Sequence, residues 1–133
     1  KTRNYKEVEA ILINDLSDIY NYLSDKITTI FIDEANFMKG DIAVLIDLSI
    51  NKDLDIFIAG LNLTSELKPF GIMPEIMAIS DEIVLLHASC NDCNRDASYT
   101  YYNGSKDSDI LVGNDNYIAL CPKCLRKRLT LNK

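Results

Sequence analysis

The sequence predicts an α/β fold with a parallel sheet, followed by a small β module. Three short apolar runs, at about residues 28–33, 55–61 and 82–87, alternate with helical patterns, as strands and helices do around a parallel sheet. Helical periodicity then ends at about Ala88, after which only short β-type segments follow. We therefore place a boundary between an incomplete α/β core at residues 1–87 and a second domain at residues 88–133.

Length and composition fit one core with a small appended module. The chain has 133 residues, of which 47% are hydrophobic and 26% are charged, so it can bury a real core. Its net charge of −6 argues against nucleic acid as the main partner, because phosphate binding needs a basic surface. No apolar run reaches the roughly 18 residues of a membrane span, so we expect no membrane partner. Since residue 1 is Lys1 rather than Met, we expect a piece of something longer or a chain that has lost its start.

The first elements are predicted from local patterns. Apolar residues at three- and four-residue spacing predict a helix from about Tyr5 to Leu23. The β-branched and aromatic run at about Thr28–Asp33 predicts a fully buried strand. A second, mostly buried helix is predicted from about Asp41 to Ser49, with the Asp41 side chain as its cap.

The next elements continue the alternation. The run Asp55–Leu61 predicts a strand, and Gly60 near its end suits a close backbone approach. A short helix is predicted within Phe70–Ile79, with Pro74 in its first turn. The run Glu82–His87 predicts a third buried strand. Beyond the boundary, β-type segments are predicted at about Ala97–Tyr102, Asp109–Val112 and Tyr117–Leu120.

The four cysteines form two Cys-x-x-Cys motifs, Cys90 with Cys93 and Cys121 with Cys124. In an intracellular chain this pattern indicates a metal site rather than disulfides. Residues 94–120 separate the pairs, a somewhat longer stretch than the usual 15–20 or so, and loop closure tolerates such inserts. Four thiolates make a closed tetrahedral shell, so we predict a structural zinc ion. A redox dithiol and free thiols remain alternatives.

Two adjacent carboxylates, Asp33 and Glu34, follow the first predicted strand. In this Walker-B-like arrangement one carboxylate holds Mg²⁺ and a neighbouring one orients or deprotonates a nucleophile. The matching phosphate loop, G-x-x-x-x-G-K-[ST], would lie upstream, but all five glycines of the chain lie at Gly40 or later. Either the chain is truncated or the carboxylates do something else, and a strand that runs into a polar turn is the simplest alternative.

Several other polar residues carry weaker signals. His87, the single histidine, is interpreted as a packing or turn residue rather than a metal ligand. Four tyrosines of the second domain could stack on a base, although packing is the more common role for each. They are Tyr99, Tyr101, Tyr102 and Tyr117.

Taken together, the sequence resembles the thymidine kinases of the small, zinc-containing cellular type (type II). The resemblance covers roughly the C-terminal two-thirds of a typical family member, with matching order and spacing. The segments that carry it are Phe31–Phe37, Gly60-Leu61, Lys68–Gly71, Cys90–Cys93 with Ala97–Thr100, and Gly113–Cys124.

The resemblance implies a P-loop (RecA-like) parallel-sheet core and a nucleotide-binding enzyme of nucleoside salvage for DNA synthesis. Such enzymes transfer the γ-phosphoryl group of ATP to the 5′-hydroxyl of thymidine or deoxyuridine. Glu34 would be the catalytic base that takes the proton of this hydroxyl, and Asp33 would serve the Mg²⁺ that accompanies ATP. The Zn²⁺ ion would be structural and held by the four cysteines.

The resemblance also implies contacts with the nucleoside. The segment between the cysteine motifs corresponds to a loop, called the lasso in this family, that closes over the substrate. Backbone groups around Ile110 and Val112 would hydrogen-bond the thymine edge, Thr100 would lie near the 5-methyl group, and Tyr117 would support the sugar and base. The apolar part of the pocket would be lined by Phe37, Leu61 and Phe70.

The sequence departs from the family pattern after Leu61. An aromatic residue is usual where Ser65 stands, and Phe70 or Leu67 would then replace it as the partner that stacks on thymine.

Further expectations come from the family rather than from the residues. They are a homotetramer, feedback inhibition by thymidine triphosphate and a cytoplasmic location. Without the phosphate loop, the 133-residue chain alone would be inactive. The alternative function is a non-catalytic, zinc-stabilised binding or assembly module descended from such a kinase. A nucleic-acid-binding ribbon ranks last because of the acidic charge.

Overall fold

The computed structural model describes residues 6–104 and 116–131. The earlier part contains β1 (Thr29–Ile32), α1 (Ala43–Ile46), β2 (Asp55–Ile58) and α2 (Met73–Ile79). It also has 3₁₀ turns at Leu16–Tyr22 and Ala35–Phe37 and a π turn at Asp47–Asn51. The later part contains β3 (Ala88–Ser89), β4 (Asp96–Ala97), β5 (Tyr99–Tyr102), β6 (Tyr117–Leu120) and α3 (Pro122–Leu131).

Strands β1 and β2 form a parallel pair, as the sequence predicts. Their register places Thr29 opposite Asp55 and Ile32 opposite Ile58, so both strands end at the same edge. The amide of Ala59 continues the ladder by donating to the carbonyl of Ile32 at 2.8 Å. The predicted α/β class with a parallel sheet is confirmed, with both strands slightly shorter than predicted.

The β1 strand is buried on only one face, which corrects the prediction of a fully buried strand. Ile32 is buried, but Phe31 is 78% exposed and stacks on Phe57 of β2 with ring centroids 5.1 Å apart. Successive side chains of a strand point to opposite faces, and the described elements cover only one of them. The sheet therefore has a packed face and an aromatic open face.

The packed face carries the core of the earlier part. Apolar residues from the first 3₁₀ turn, from α1 with its π turn, and from α2 meet there below β1. The buried members are Leu16, Ile19, Ile32, Ala35, Leu45, Leu48, Met73 and Ile76.

The predicted helix at Tyr5–Leu23 is wrong over most of its length. Only Leu16–Tyr22 forms a 3₁₀ helix, and residues 6–13 are not helical. The backbone on both sides of Asp15 pairs with Lys39, whose amide donates to the carbonyl of Asn14 and whose carbonyl accepts from Leu16. The Asp15 carboxylate also caps the helix that follows. These bonds start the helix at Leu16, so the apolar residues before Leu16 do not form a helix despite their helical spacing.

The third predicted strand, Glu82–His87, is also wrong. No strand is assigned there, and residues 83–86 are exposed despite their apolar character. A strand needs a neighbour for its backbone groups, and no segment within residues 6–104 and 116–131 pairs with this one. His87 is exposed as well, so it is not a packing residue in the described part of the chain.

Two predicted helices are confirmed with adjusted bounds. Asp41 caps the first, because its Oδ1 accepts the amide of Ala43 at 2.9 Å, and α1 then continues as the π turn. The second is α2, which has Pro74 in its first turn, where the missing amide costs nothing.

The later part is built from two antiparallel pairs and one helix. Strand β3 pairs with β4, and β5 pairs with β6 from Tyr99 opposite Leu120 to Tyr102 opposite Tyr117. The predicted strand at about Asp109–Val112 lies outside the described residues. Helix α3 was not predicted from the sequence. Its inner face joins a second core of Cys90, Ala97, Leu120, Cys121, Cys124 and Leu125.

Within the described ranges, none of the helices combines the length and the apolar character that a membrane crossing requires.

Candidate functional site

The four cysteines come together in the second core. All four sulfur atoms lie within 4.8 Å of one another, and the Cys93 and Cys121 sulfurs are 3.6 Å apart. A tetrahedron of thiolates around one ion, with metal–sulfur bonds of about 2.3 Å, has edges of about 3.8 Å. The geometry therefore fits a single metal ion, and these four residues could hold it.

Two turns position the four cysteines around this common centre. The first follows β3, where the Cys90 amide donates to the Arg95 carbonyl and the Asn94 amide donates to the Cys90 carbonyl. The second is the start of α3, where the Cys124 amide donates to the Cys121 sulfur at 3.5 Å. Each Cys-x-x-Cys motif thus closes into a turn that points both of its thiols at the same centre.

The local electrostatics favour thiolates at part of the centre. Burial opposes ionisation of Cys90, but backbone amides of Cys121, Asp92 and Cys93 together lower its pKa to about 6. The Cys124 amide lowers the pKa of Cys121 in the same way. Burial and the neighbouring sulfurs raise the pKa of Cys124 to about 12. A divalent cation at the centre would offset the effect of burial and of the neighbouring sulfurs on Cys124, and all four sulfurs could then bind as thiolates.

Arg128 of α3 connects the first cysteine turn to the end of β5. Its Nε and Nη2 donate to the two carboxylate oxygens of Asp92 at 2.8 and 2.7 Å, and its Nη1 donates to Asn103 Oδ1 at 3.2 Å. The guanidinium also lies 5.5 Å from the centre of the Tyr101 ring. The bonds from Arg128 lower the pKa of Asp92 to about 2, so this carboxylate is ionised at neutral pH.

Replacing Arg128 with Gln is expected to lower the melting temperature of the later part of the chain by several degrees. The two-pronged contact with Asp92 would be lost, and both side chains are less than one-third exposed. Arg128→Lys should recover only part of the loss, because an ammonium group cannot reproduce the planar fork. Differential scanning fluorimetry measures the change, with the exposed Arg126→Gln as control. Equal melting temperatures for Arg128→Gln and Arg126→Gln would contradict the expectation.

A second group of predicted site residues stands at the end of β1. Asp33 and Glu34 are both exposed, and Asp33 Oδ1 accepts the amide of Glu34 at 2.8 Å. Glu34 has φ 51° and ψ 41°, in the left-handed region that a residue with a side chain rarely adopts. Such conformations cost of order 1–3 kcal/mol and concentrate at functional sites. The turn is held because Ala35 donates to the Ala59 carbonyl at 3.0 Å.

Three predicted apolar residues gather beside these carboxylates. The rings of Phe37 and Phe70 meet edge to face with centroids 5.3 Å apart. The amide of Leu61 donates to the side-chain Oδ1 of Asn36 at 3.1 Å, and Phe37 donates to the Glu34 carbonyl at 3.1 Å. The structure thus brings Phe37, Leu61 and Phe70 to the edge of the sheet where Glu34 stands. We call these three residues the apolar wall.

The remaining predicted residues belong to the later part or lie outside the described ranges. Thr100 of β5 is opposite Ala119, and Tyr117 of β6 packs its ring 5.1 Å from that of Tyr102. Ile110 and Val112 lie outside the described residues. The roles of all four in binding stay predictions.

The structure also has an open cleft of ≈ 440 Å³. It contains Leu67 and Tyr99, which the sequence suggested for stacking on a base, but neither Glu34 nor the apolar wall. Its lining consists of Leu67, Tyr99, Pro122, Leu125, Arg126, Leu129 and Thr130.

Comparison with known proteins decides the family. The model of the family described as "Thymidine kinase" matches residues 1–125. The chain belongs to the thymidine kinase family. This confirms the resemblance that the strand-end carboxylates and the cysteine pairs indicate.

Curated members of the thymidine kinase family show the same relation. The chain is 33% identical to the thymidine kinase of Pseudothermotoga lettingae over an alignment of 134 residues, which covers 99% of this chain and 72% of that protein. It is 32% identical to the thymidine kinase of Mycoplasma mobile, over 92% of this chain and 62% of the relative. It is 34% identical to that of Porphyromonas gingivalis, over 79% of this chain and 52% of the relative. The chain thus spans about half to three-quarters of the length of these relatives.

Sequence reasoning assigned no structural role to three residues of the two sites in this thymidine kinase family member. Asp92 and Arg128 form the contact that supports the first cysteine turn, and Asn36 holds Leu61. Asn36 lies within the segment Phe31–Phe37 that carries the resemblance, but its contact with Leu61 leaves no local signal. The pairing of Asp92 with Arg128 joins residues far apart in the chain and leaves no local signal.

Proposed function

We propose that this chain forms part of a thymidine kinase that transfers the γ-phosphoryl group of ATP to the 5′-hydroxyl of thymidine or deoxyuridine. The observation that carries the proposal is the exposed, strained Glu34 at the carboxyl end of a parallel strand, directly beside the apolar wall. Ligands of open α/β sheets bind at this edge. Membership of the thymidine kinase family supplies the substrate class.

In the proposed reaction the 5′-oxygen of the nucleoside forms a bond to the γ-phosphorus. The bond from that phosphorus to the β,γ-bridging oxygen breaks, and ADP leaves. Glu34 accepts the proton of the 5′-hydroxyl, and Asp33 would hold Mg²⁺. When bound with ATP, Mg²⁺ would neutralise charge on the phosphates. The apolar wall would bind one face of the base and exclude water from it.

The proposed contacts of the later part with the nucleoside follow from the family resemblance. Thr100, Tyr117 and backbone groups around Ile110 and Val112 would complete the nucleoside site from the domain at residues 88–133. The P-loop core, including the phosphate loop itself, would be supplied by the complete enzyme. A homotetramer inhibited by thymidine triphosphate is the proposed assembly, and cysteines that form no disulfides suit a cytoplasmic setting.

Zinc is the proposed metal of the cysteine centre. Four thiolate ligands with no open position are typical of structural zinc sites. The ion would tie β3, β6 and α3 together and so fix the ends of the segment between the two motifs.

ATP-dependent phosphorylation of thymidine by the complete protein tests the proposed function. We expect thymidine monophosphate and ADP to form in equal amounts, with deoxyuridine also accepted. Chromatography of the nucleotides measures both products. Thymidine binding without any product would instead favour the non-catalytic binding module.

A further inference from the structure

Asn36 is the one buried polar side chain of the described residues, and only half of its amide group is bonded. It is 4% exposed. Its Oδ1 accepts the amide of Leu61 at 3.1 Å, while its Nδ2 has no hydrogen-bond partner among residues 6–104 and 116–131. An unpaired buried donor costs about 1–3 kcal/mol. Stability alone therefore does not explain an asparagine at this position.

Two glycines let the neighbouring turns approach Asn36 closely. A Cβ atom at Gly60 would lie 3.2 Å from both the backbone nitrogen and Oδ1 of Asn36, and 2.8 Å from Met73 Sδ. At Gly71, where φ is +53°, a Cβ would approach the backbone carbonyl oxygen of Asn36 far inside contact distance. Both turns are thus packed on Asn36, the Gly60 turn against its backbone and side chain and the Gly71 turn against its backbone.

These turns carry the apolar wall. Leu61 follows Gly60, Phe70 precedes Gly71, and Phe37 follows Asn36 itself. The three residues come from chain segments far apart in sequence, and each segment contacts Asn36 or is adjacent to it. Asn36 therefore lies at the point that sets their spacing and the distance of all three from Glu34.

The hydrogen bond to the Leu61 amide is only partly buried, and Leu61 itself is 54% exposed. We therefore expect water to take the place of the Asn36 oxygen as the acceptor of this amide. Removing the asparagine would then leave the fold intact but free the Gly60–Leu61 turn.

We propose that the side chain of Asn36 is a positioning residue for nucleoside binding, which holds the Gly60–Leu61 turn so that Leu61 completes the apolar wall that faces the base. This rests on the proposed function. Asn36 touches the wall and not the reacting atoms, so its loss affects the fit of the nucleoside and leaves the binding of ATP unchanged.

The test compares Asn36→Leu with Asn36→Asp in the complete enzyme. Leu removes both polar atoms, whereas Asp keeps an acceptor for the Leu61 amide. We expect Asn36→Leu to raise the KM for thymidine about three- to tenfold, the effect of one lost hydrogen bond, with the KM for ATP within about twofold. Its melting temperature should be unchanged or higher, because the unpaired donor is gone. Asn36→Asp should recover most of the thymidine KM.

Three results would overturn the proposal: an unchanged thymidine KM in a folded Asn36→Leu, equal rises in both KM values, or equal losses in the two variants. The exposed Asn51→Leu, whose side chain contacts Asp47, serves as control. Should Asn36→Leu fail to fold, Gly60→Ala displaces the same turn, and a normal thymidine KM there would count against the proposal.

Thymidine binding by calorimetry separates this inference from the proposed function. If the unaltered enzyme binds thymidine without phosphorylating it, the function fails, but weaker thymidine binding by Asn36→Leu would still support the role of Asn36. If the variant binds as tightly as the unaltered protein, the role of Asn36 is wrong whatever the activity.

Discussion

Replacing Glu34 with Gln in the complete enzyme is expected to lower kcat for thymidine phosphorylation by about 10²–10⁴-fold, the usual contribution of a general base. Gln has nearly the same shape but cannot accept the proton of the 5′-hydroxyl. The backbone strain at Glu34 and its backbone hydrogen bonds to Asp33 and Phe37 do not involve the Glu34 carboxylate, so folding should be unaffected. Steady-state kinetics and thermal melting measure the two effects.

Glu66→Gln provides a matched control for the charge change. Glu66 is exposed and pairs weakly with Lys68 at 3.8 Å, in the loop that precedes Phe70. We expect its kcat to stay within about twofold, because exposed ion pairs contribute little. A Glu34→Gln enzyme that turns over as fast as Glu66→Gln would show that another group takes the proton.

Loss of the metal is expected to unfold the later part of the chain. Apparent binding energies of structural zinc in small domains are about 10–16 kcal/mol, and the second core is small. We therefore expect a strong chelator, or the substitution Cys124→Ser, to abolish α3 and the β5–β6 pairing while the β1–β2 part stays folded. Far-UV circular dichroism and elemental analysis measure the structure and the zinc content, with one zinc per chain predicted.

Ser98→Ala is a suitable control, because Ser98 is exposed between β4 and β5 and is not a ligand. It should bind one zinc per chain and melt normally. A metal-free protein that keeps its full dichroism signal would show that the cysteines are free thiols and that packing alone holds this part together.

The parallel strands could be predicted from the sequence because their signal is local. The apolar runs around Phe31 and Phe57 are bounded by polar residues, and each run forms a strand. The cysteine centre was equally accessible, since each Cys-x-x-Cys motif closes within one turn. In both cases each contributing segment can be identified from residues that are neighbours in the chain.

The errors arose where distant contacts override a local pattern. The apolar spacing before Leu16 predicts a helix, but backbone pairing with Lys39 breaks it at Asp15. The run at residues 83–86 has strand composition, but the described part of the chain offers no neighbouring strand to complete it. Burial of Asn36 and the reach of Arg128 to Asp92 likewise depend on tertiary contacts that no local pattern contains.

A crystal structure of the complete enzyme with thymidine would test the placement of the nucleoside site most directly. The account predicts that the base packs on Phe37, Leu61 and Phe70 and that the 5′-oxygen lies about 2.6–3.2 Å from a carboxylate oxygen of Glu34. A nucleoside bound elsewhere, with its 5′-hydroxyl out of reach of Glu34, would contradict it.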